Sequence, residues 1–199
     1  MKLAIIKYNA GNIQSVLNAM ERLGVEAEVT DDHNKIRAAD KVIFPGVGEA
    51  SSAMKSLKVN QLDQLIKELK QPVLGICVGM QLLCNYSEEN QTECLGIVPI
   101  TVKKFEPGSQ KLKVPQVGWN DIYNLKTALF SDIPENSFVY HVHSYYADNN
   151  KYAIANCNYG IEYAAAISKD NFYGVQFHTE KSSEIGDRIL KNFILNVNR

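Results

Sequence analysis

The segment Gly75-Ile76-Cys77-Val78-Gly79 sets a cysteine between two glycines, after an apolar run and before a helical one. This G-x-nucleophile-x-G spacing suits a nucleophile elbow, a strained strand-to-helix bend whose small neighbours let the nucleophile project into an open pocket. A thiol at a helix start has its anion favoured by the helix dipole and by nearby N–H groups, which lower its pKa from the free value of ~8.5. A free cysteine taken alone is usually a small buried hydrophobe; the two glycines after a strong strand favour the nucleophile. The matching base is His178 in Val175-Gln176-Phe177-His178-Thr179-Glu180, at the end of a strand, with Glu180 on the same side two residues later if the extended geometry continues. His33, His141 and His143 are rival bases, although His33 lies in a charged, loop-like stretch. In Pro45-Gly46-Val47-Gly48 the chain breaks at a strand's carboxyl end, where Gly46 and Val47 offer a backbone N–H for an oxyanion beside the N–H of Val78. These parts together suit attack on a carboxamide.

Elements must bring them together across the chain. Residues 2–8 read as a strand, the turn Asn9-Ala10-Gly11-Asn12 follows, and Ile13, Val16, Leu17, Met20 and Leu23 recur at helical spacing before Gly24. Strands over 25–30 and 41–44, separated by the charged segment 31–40, continue the alternation and predict a parallel sheet covered by helices. Leu62, Leu65, Ile66 and Leu69 mark a helix face, 72–76 a buried strand and 78–85 the helix after it, so the joint falls on Cys77. Past Gly96 the texture becomes strand-rich, over 97–105, 112–123, 137–146, 152–156, 161–168 and 172–177, with Pro, Gly and Asn-Asn turns between. A last helix over 182–197 puts Ile185, Ile189, Leu190, Phe193 and Ile194 on one face.

The bulk properties bound the function. A chain of 199 residues has room for one domain, 1–199, and none for a second catalytic domain. With 21 basic and 22 acidic residues it offers no electrostatic reason to bind nucleic acid or an anionic membrane. The first apolar run is too short for a signal peptide and no stretch matches a membrane span, so a cytoplasmic location is expected. The cysteines at 77, 84, 94 and 157 form no CxxC pair or zinc spacing, and neither a disulfide framework nor a metal site is expected.

Taken together and in order, Pro45-Gly46-Val47-Gly48, Gly75-Ile76-Cys77-Val78-Gly79-Met80-Gln81 and Gln176-Phe177-His178-Thr179-Glu180 resemble the signature of the class I (triad) glutamine amidotransferases. The resemblance implies a three-layer α/β fold, a central, mostly parallel mixed sheet flanked by helices, with additional antiparallel strands in the C-terminal half. It implies attack by Cys77 on the side-chain amide of L-glutamine, loss of ammonia, and hydrolysis of a glutamyl thioester with His178 shuttling protons and no cofactor. In the family's pattern Gln81, Glu89 and the main chain around His143, Ser144 and Tyr145 hold the glutamine.

Tyr8-Asn9-Ala10-Gly11-Asn12, Pro115-Gln116-Val117-Gly118-Trp119-Asn120 and His143-Ser144-Tyr145-Tyr146 are most similar to one branch, the glutaminase subunits of imidazole glycerol phosphate synthases in histidine biosynthesis. There Asn12, Trp119, Asn120, Tyr140 and Lys181 match positions facing a cyclase subunit, a (β/α)8 barrel that receives the ammonia in a heterodimer. The alternatives are a hydrolase or peptidase acting on another amide, or a subunit serving pyridoxal phosphate, anthranilate or nucleotide synthesis, and a scaffold with a vestigial elbow is the non-enzymatic one. Two departures stand out: Thr179 where the family usually has proline, and Gln116-Val117 in place of the commoner His-Met.

Overall fold

A computed structural model describes residues 1–9, 12–106 and 112–198. Strand β1 (Leu3–Ile6) is wholly buried, as an unbroken apolar run between two neighbours should be. Of the turn after it, residues 10 and 11 lie outside the described residues. Helix α1 (Ile13–Arg22) buries Val16, Ala19 and Met20 and stops at Gly24, whose φ of +68° lets its N–H reach Glu21 O. After β2 (Ala27–Thr30) the charged segment holds a short helix, α2 (His33–Ala38), begun by the Asp32 carboxylate accepting from the N–H groups of Asn34 and Lys35.

Strand β3 (Lys41–Gly46) runs two residues beyond the expected end. Its ladder with β1 stops at Ile43, and Pro45 turns toward that vacated side, where the Tyr8 hydroxyl donates to its carbonyl at 2.7 Å. Helices α3 (Ala50–Val59) and α4 (Leu62–Glu68) follow, then β4 (Val73–Cys77) and α5 (Val78–Leu83). Helix α5 ends earlier than expected because the returning N–H groups of Leu95, Gly96 and Ile97 take the carbonyls of Leu82, Cys84 and Leu83. Cys84 accordingly begins a strand, β5 (Cys84–Ser87).

The remaining strands are β6 (Thr92–Glu93), β7 (Val98–Lys104), β8 (Gln116–Ile122), β9 (Ser137–His143), β10 (Tyr145–Ala147), β11 (Ala153–Asn158), β12 (Glu162–Lys169) and β13 (Phe172–Val175), followed by helix α6 (Ser183–Leu195). The strand expected over 137–146 is cut at Ser144, so β9 and β10 join different sheets. Among the described residues the main sheet runs β2-β1-β3-β4-β13-β12-β10-β7-β5-β6, with β11 on β12; β8 and β9 form a separate antiparallel ribbon. The first five strands of that order are mutually parallel, as expected, and the C-terminal strands add the antiparallel part. Strands β3 and β4 are buried along their whole length, which requires helices on both faces.

Two features position the site. Strand β13 returns parallel to β4, with Gly174 opposite Gly75 and Val175 opposite Ile76, so the chain after Val175 emerges beside Cys77. The buried Lys41 ammonium donates to the carbonyls of Phe193 and Val197 and so ties the end of α6 to β3. No helix among the described residues is long and apolar enough to cross a membrane.

Candidate active site

Cys77 sits where β4 becomes α5, with φ +54° and ψ −110°, a backbone conformation an L-residue seldom adopts. Its neighbours show why glycine is required. A Cβ on Gly79 would stand 1.9 Å from the Phe44 carbonyl oxygen, and one on Gly75 2.8 Å from the Gly79 main chain. A Cβ on Gly46 would meet the Gly79 nitrogen at 2.6 Å, so β3, β4 and the bend touch backbone to backbone. The elbow read from the sequence is present, and contact between three glycines makes it.

His178 follows β13, and its main-chain N–H donates to Tyr140 O at 2.9 Å, pinning it to β9. The expected extended geometry gives way after it to a single 3-10 turn, Thr179–Lys181, held by the Ser182 hydroxyl donating to His178 O at 2.6 Å. Helix α6 seats against that turn so closely that a Cβ on Gly186 would be 1.9 Å from Thr179 O. The turn still delivers the carboxylate: His178 Nδ1 donates to Glu180 Oε1 at 2.7 Å, both side chains being buried. With Nδ1 engaged, the other ring nitrogen is the one left to serve the Cys77 sulfur, which lines the same cavity. Burial alone would depress the imidazole, but the partners Cys77 and Glu180 outweigh it and push His178 up to about 10. The other thiols are held protonated by burial, Cys94 pushed up to about 12 and Cys157 to about 11.

A cavity of about 350 Å³ opens over this group, lined among others by Val47, Gly48, Cys77, Val78 and His178. That volume suits a small amino acid. Gly46 lies beneath it as the ladder partner of Cys77. Gln81, Glu89, His143, Ser144 and Tyr145 all line the same cavity, as does Lys181. Gln81 Nε2 donates to Tyr145 O at 3.1 Å, and Glu89 Oε2 accepts from Ala50 N–H at 2.7 Å, so each is anchored at the rim. Burial, aided by the nearby Glu49 charge, raises the Glu89 carboxyl against the pull of the Ala50 N–H.

The rival bases are settled by their surroundings. His33 Nε2 faces the Asn60 carbonyl, outside the lining of the Cys77 cavity, while His141 and His143 are buried side by side at 3.3 Å under the Tyr163 hydroxyl. Burial holds His143 down to about 4 and His141 well below its usual value, so both stay neutral. Trp119 and Tyr140 stack edge to face at 5.9 Å on the outer face of the β8–β9 ribbon, with Val117, Phe138 and Val142 exposed around them. Asn120 points to the opposite face, where its amide donates to Asn158 O at 2.9 Å and to Cys157 Sγ at 3.2 Å. Asn12 stands apart from this ribbon at the start of α1 and accepts from the Ser15 hydroxyl. Gly186 went unremarked in the sequence, and Tyr8 entered it only within a motif, because their partners, Thr179 O and Pro45 O, are brought up only by folding.

A thiol on a strained bend, an imidazole lining the same cavity and a carboxylate bonded to that imidazole, set on a parallel sheet, are the parts that a cysteine-dependent acyl transfer needs. The chain belongs to the glutamine amidotransferase class-I family, whose model matches residues 4–197. Solved structures agree in fold: a glutamine amidotransferase superposes with a TM-score of 0.75 at 15% identity, covering 98% of this chain and 97% of the other. A structure described as PurLQS from Thermotoga maritima gives 0.70 at 15% identity, with 97% of each chain covered. Within the class the chain groups with imidazole glycerol phosphate synthase subunit HisH. The Bacteroides fragilis protein of that name is 56% identical over 98% of this chain and 99% of its own length, and that of Haemophilus influenzae 45% identical over 98% and 97%.

Proposed function

We propose that Cys77 is the nucleophile, His178 its base and acid, and Glu180 the group that aims the imidazole, in hydrolysis of L-glutamine to glutamate and ammonia. The observation that carries this is the buried Cys77–His178–Glu180 alignment opening on a cavity of amino-acid size. The thiolate attacks the side-chain carbonyl, and the tetrahedral oxyanion takes donors from Val78 N–H and from the Gly46-Val47 main chain. Imidazolium gives its proton to the departing amine, releasing ammonia; the same imidazole then takes a proton from the water that opens the thioester. Gln81, Glu89 and the His143-Ser144-Tyr145 main chain hold the glutamine.

The ammonia goes to a synthase subunit, a (β/α)8-barrel cyclase of histidine biosynthesis in the cytoplasm, with which this chain forms a heterodimer. Support for a docking face comes from the exposed Val117, Trp119, Phe138 and Val142 on one ribbon, with Tyr140 among them and Lys181 at the cavity mouth beside it. Isolated, the chain should turn over slowly, and binding of the loaded cyclase should rearrange the Gly46-Val47 main chain.

The test measures ammonia release with and without candidate cyclases, alongside mass detection of a glutamine-like affinity label. Stimulation by the histidine-pathway cyclase and labelling at Cys77, both lost in Cys77→Ser, are expected. Stimulation by a different synthase would reassign the pathway, and an active Cys77→Ser variant would sink the mechanism.

A further inference from the structure

Gln176 lies between His178 and the end of β13, fully buried, and the mechanism above gives it no task. Its orientation follows from a chain of forced choices. The Tyr145 carbonyl can only accept, so the Gln81 group facing it at 3.1 Å must be the NH2. That nitrogen's second hydrogen points to Gln176 at 2.9 Å, so the atom it meets must be Gln176 Oε1. Only one end of the Gln176 amide remains: its NH2, 3.8 Å from Cys77 Sγ. The polarity of a main-chain carbonyl at the rim of the cavity is thus relayed through two side-chain amides to the sulfur. His143 Nδ1 fixes the origin of the relay by donating to the same Tyr145 carbonyl at 2.8 Å.

The sulfur has another close neighbour, the Val142 carbonyl at 3.9 Å, which accepts from the neutral thiol and repels the thiolate. An N–H donor at the same sulfur does the reverse, and hydrogen bonds to an ionised partner are about twice as strong as neutral ones. We infer that Gln176 is a positioning residue that holds the Cys77 sulfur as thiolate, its amide kept donor-first by Gln81 and the Tyr145 carbonyl. Rim groups that face glutamine and the atom that attacks it then share one hydrogen-bonded line. Main-chain movement at Tyr145 on substrate binding reaches the sulfur through two amides.

This rests on Cys77 being the nucleophile, and the experiment separates the two. The full chain, with its synthase partner present, is treated with iodoacetamide from about pH 5 to about pH 10, and alkylation of Cys77 is followed by mass. In Gln176→Glu the oxygen that accepts from Gln81 is kept while an anionic oxygen replaces the donor; in Gln176→Met both are removed at similar volume. The rate–pH profile of each should move to higher pH, with alkylation near neutrality slowed about tenfold. Glutamine turnover should fall by a similar factor, with KM kept within about twofold in Gln176→Glu and raised in Gln176→Met, which also frees Gln81. Circular dichroism and retained partner binding establish that each variant is folded; should Gln176→Met fail, Gln176→Glu decides alone. A folded variant whose alkylation profile overlays that of the parent overturns the inference. If Cys77 of the parent chain resists alkylation, or Cys77→Ser keeps activity, the functional reading fails instead.

Discussion

Replacing Gly79 by alanine tests the backbone contact on which the elbow depends. The added Cβ would lie 1.9 Å from the Phe44 carbonyl oxygen, and both are main-chain bound, so neither can swing away. Reaching even 3.0 Å requires β3 and the start of α5 to part by about 1.1 Å. Overpacking of a tight interior typically costs about 1–3 kcal/mol, and the upper end applies where backbone must move. For a domain of this size about 3 kcal/mol lowers the melting temperature by roughly 6–12 °C. The same opening shifts the Gly46-Val47 main chain away from Cys77, and a misplacement of about 1 Å can cost ~10²-fold in rate. Thermal melting followed by circular dichroism, with ammonia release measured in the synthase complex, reads both effects. A Gly79→Ala protein melting within about 2 °C of the parent, with turnover within about twofold, would refute the claim that this contact shapes the site.

Four further outcomes are expected. Thr179→Pro should raise stability by up to ~1 kcal/mol and keep activity: Thr179 opens the 3-10 turn, where proline fits, and its buried hydroxyl has no partner among the described residues; urea unfolding measures it. Cys77→Gly should be inactive but more stable than Cys77→Ala by about 1 kcal/mol, since glycine adopts φ +54° without strain, and equal midpoints in denaturant would contradict this. Burial opposes the His178 charge, but Cys77 and Glu180 hold its pKa near 10, above the ordinary 6.5. Its stabilising contribution is therefore complete below about pH 6.5 and lost as pH rises through about 10, so the melting-temperature gap between the parent and His178→Asn should narrow over that window. Trp119→Ala should weaken synthase binding by about 2 kcal/mol in calorimetry while leaving the fold's melting temperature in place, because the ring is half exposed on the ribbon.

Much of the site was legible because its constraints are local. A bend at Cys77 needs glycine two residues either side, so the motif is written into five consecutive positions. Helix α1 and strand β1 announced themselves by apolar period, and Gly24 by the left-handed stop it supplies. The charged stretch 31–40 hid α2 because a six-residue helix with one buried side chain has almost no period to read. The split of 137–146 at Ser144 was invisible for a related reason: either half is a good strand, and only pairing partners in two different sheets separate them.

The groups proposed to react could be picked out by sequence alone, since Cys77, His178 and Glu180 are the residue types an acyl transfer needs, with Cys77 and His178 each following a strand that alternation and burial predict. Their alignment was decided by tertiary structure alone. Roughly one hundred residues separate thiol from imidazole, and only the parallel pairing of β13 with β4 closes that distance. A 3-10 turn, packed by α6 through Gly186, replaced the extended strand that would also have brought Glu180 near, and the donor end of Gln176 depends on a carbonyl thirty-one residues away. Local pattern encodes which backbone shapes are allowed; contacts between distant segments carry no local pattern, because any apolar strand pairs with any other until the whole sheet chooses.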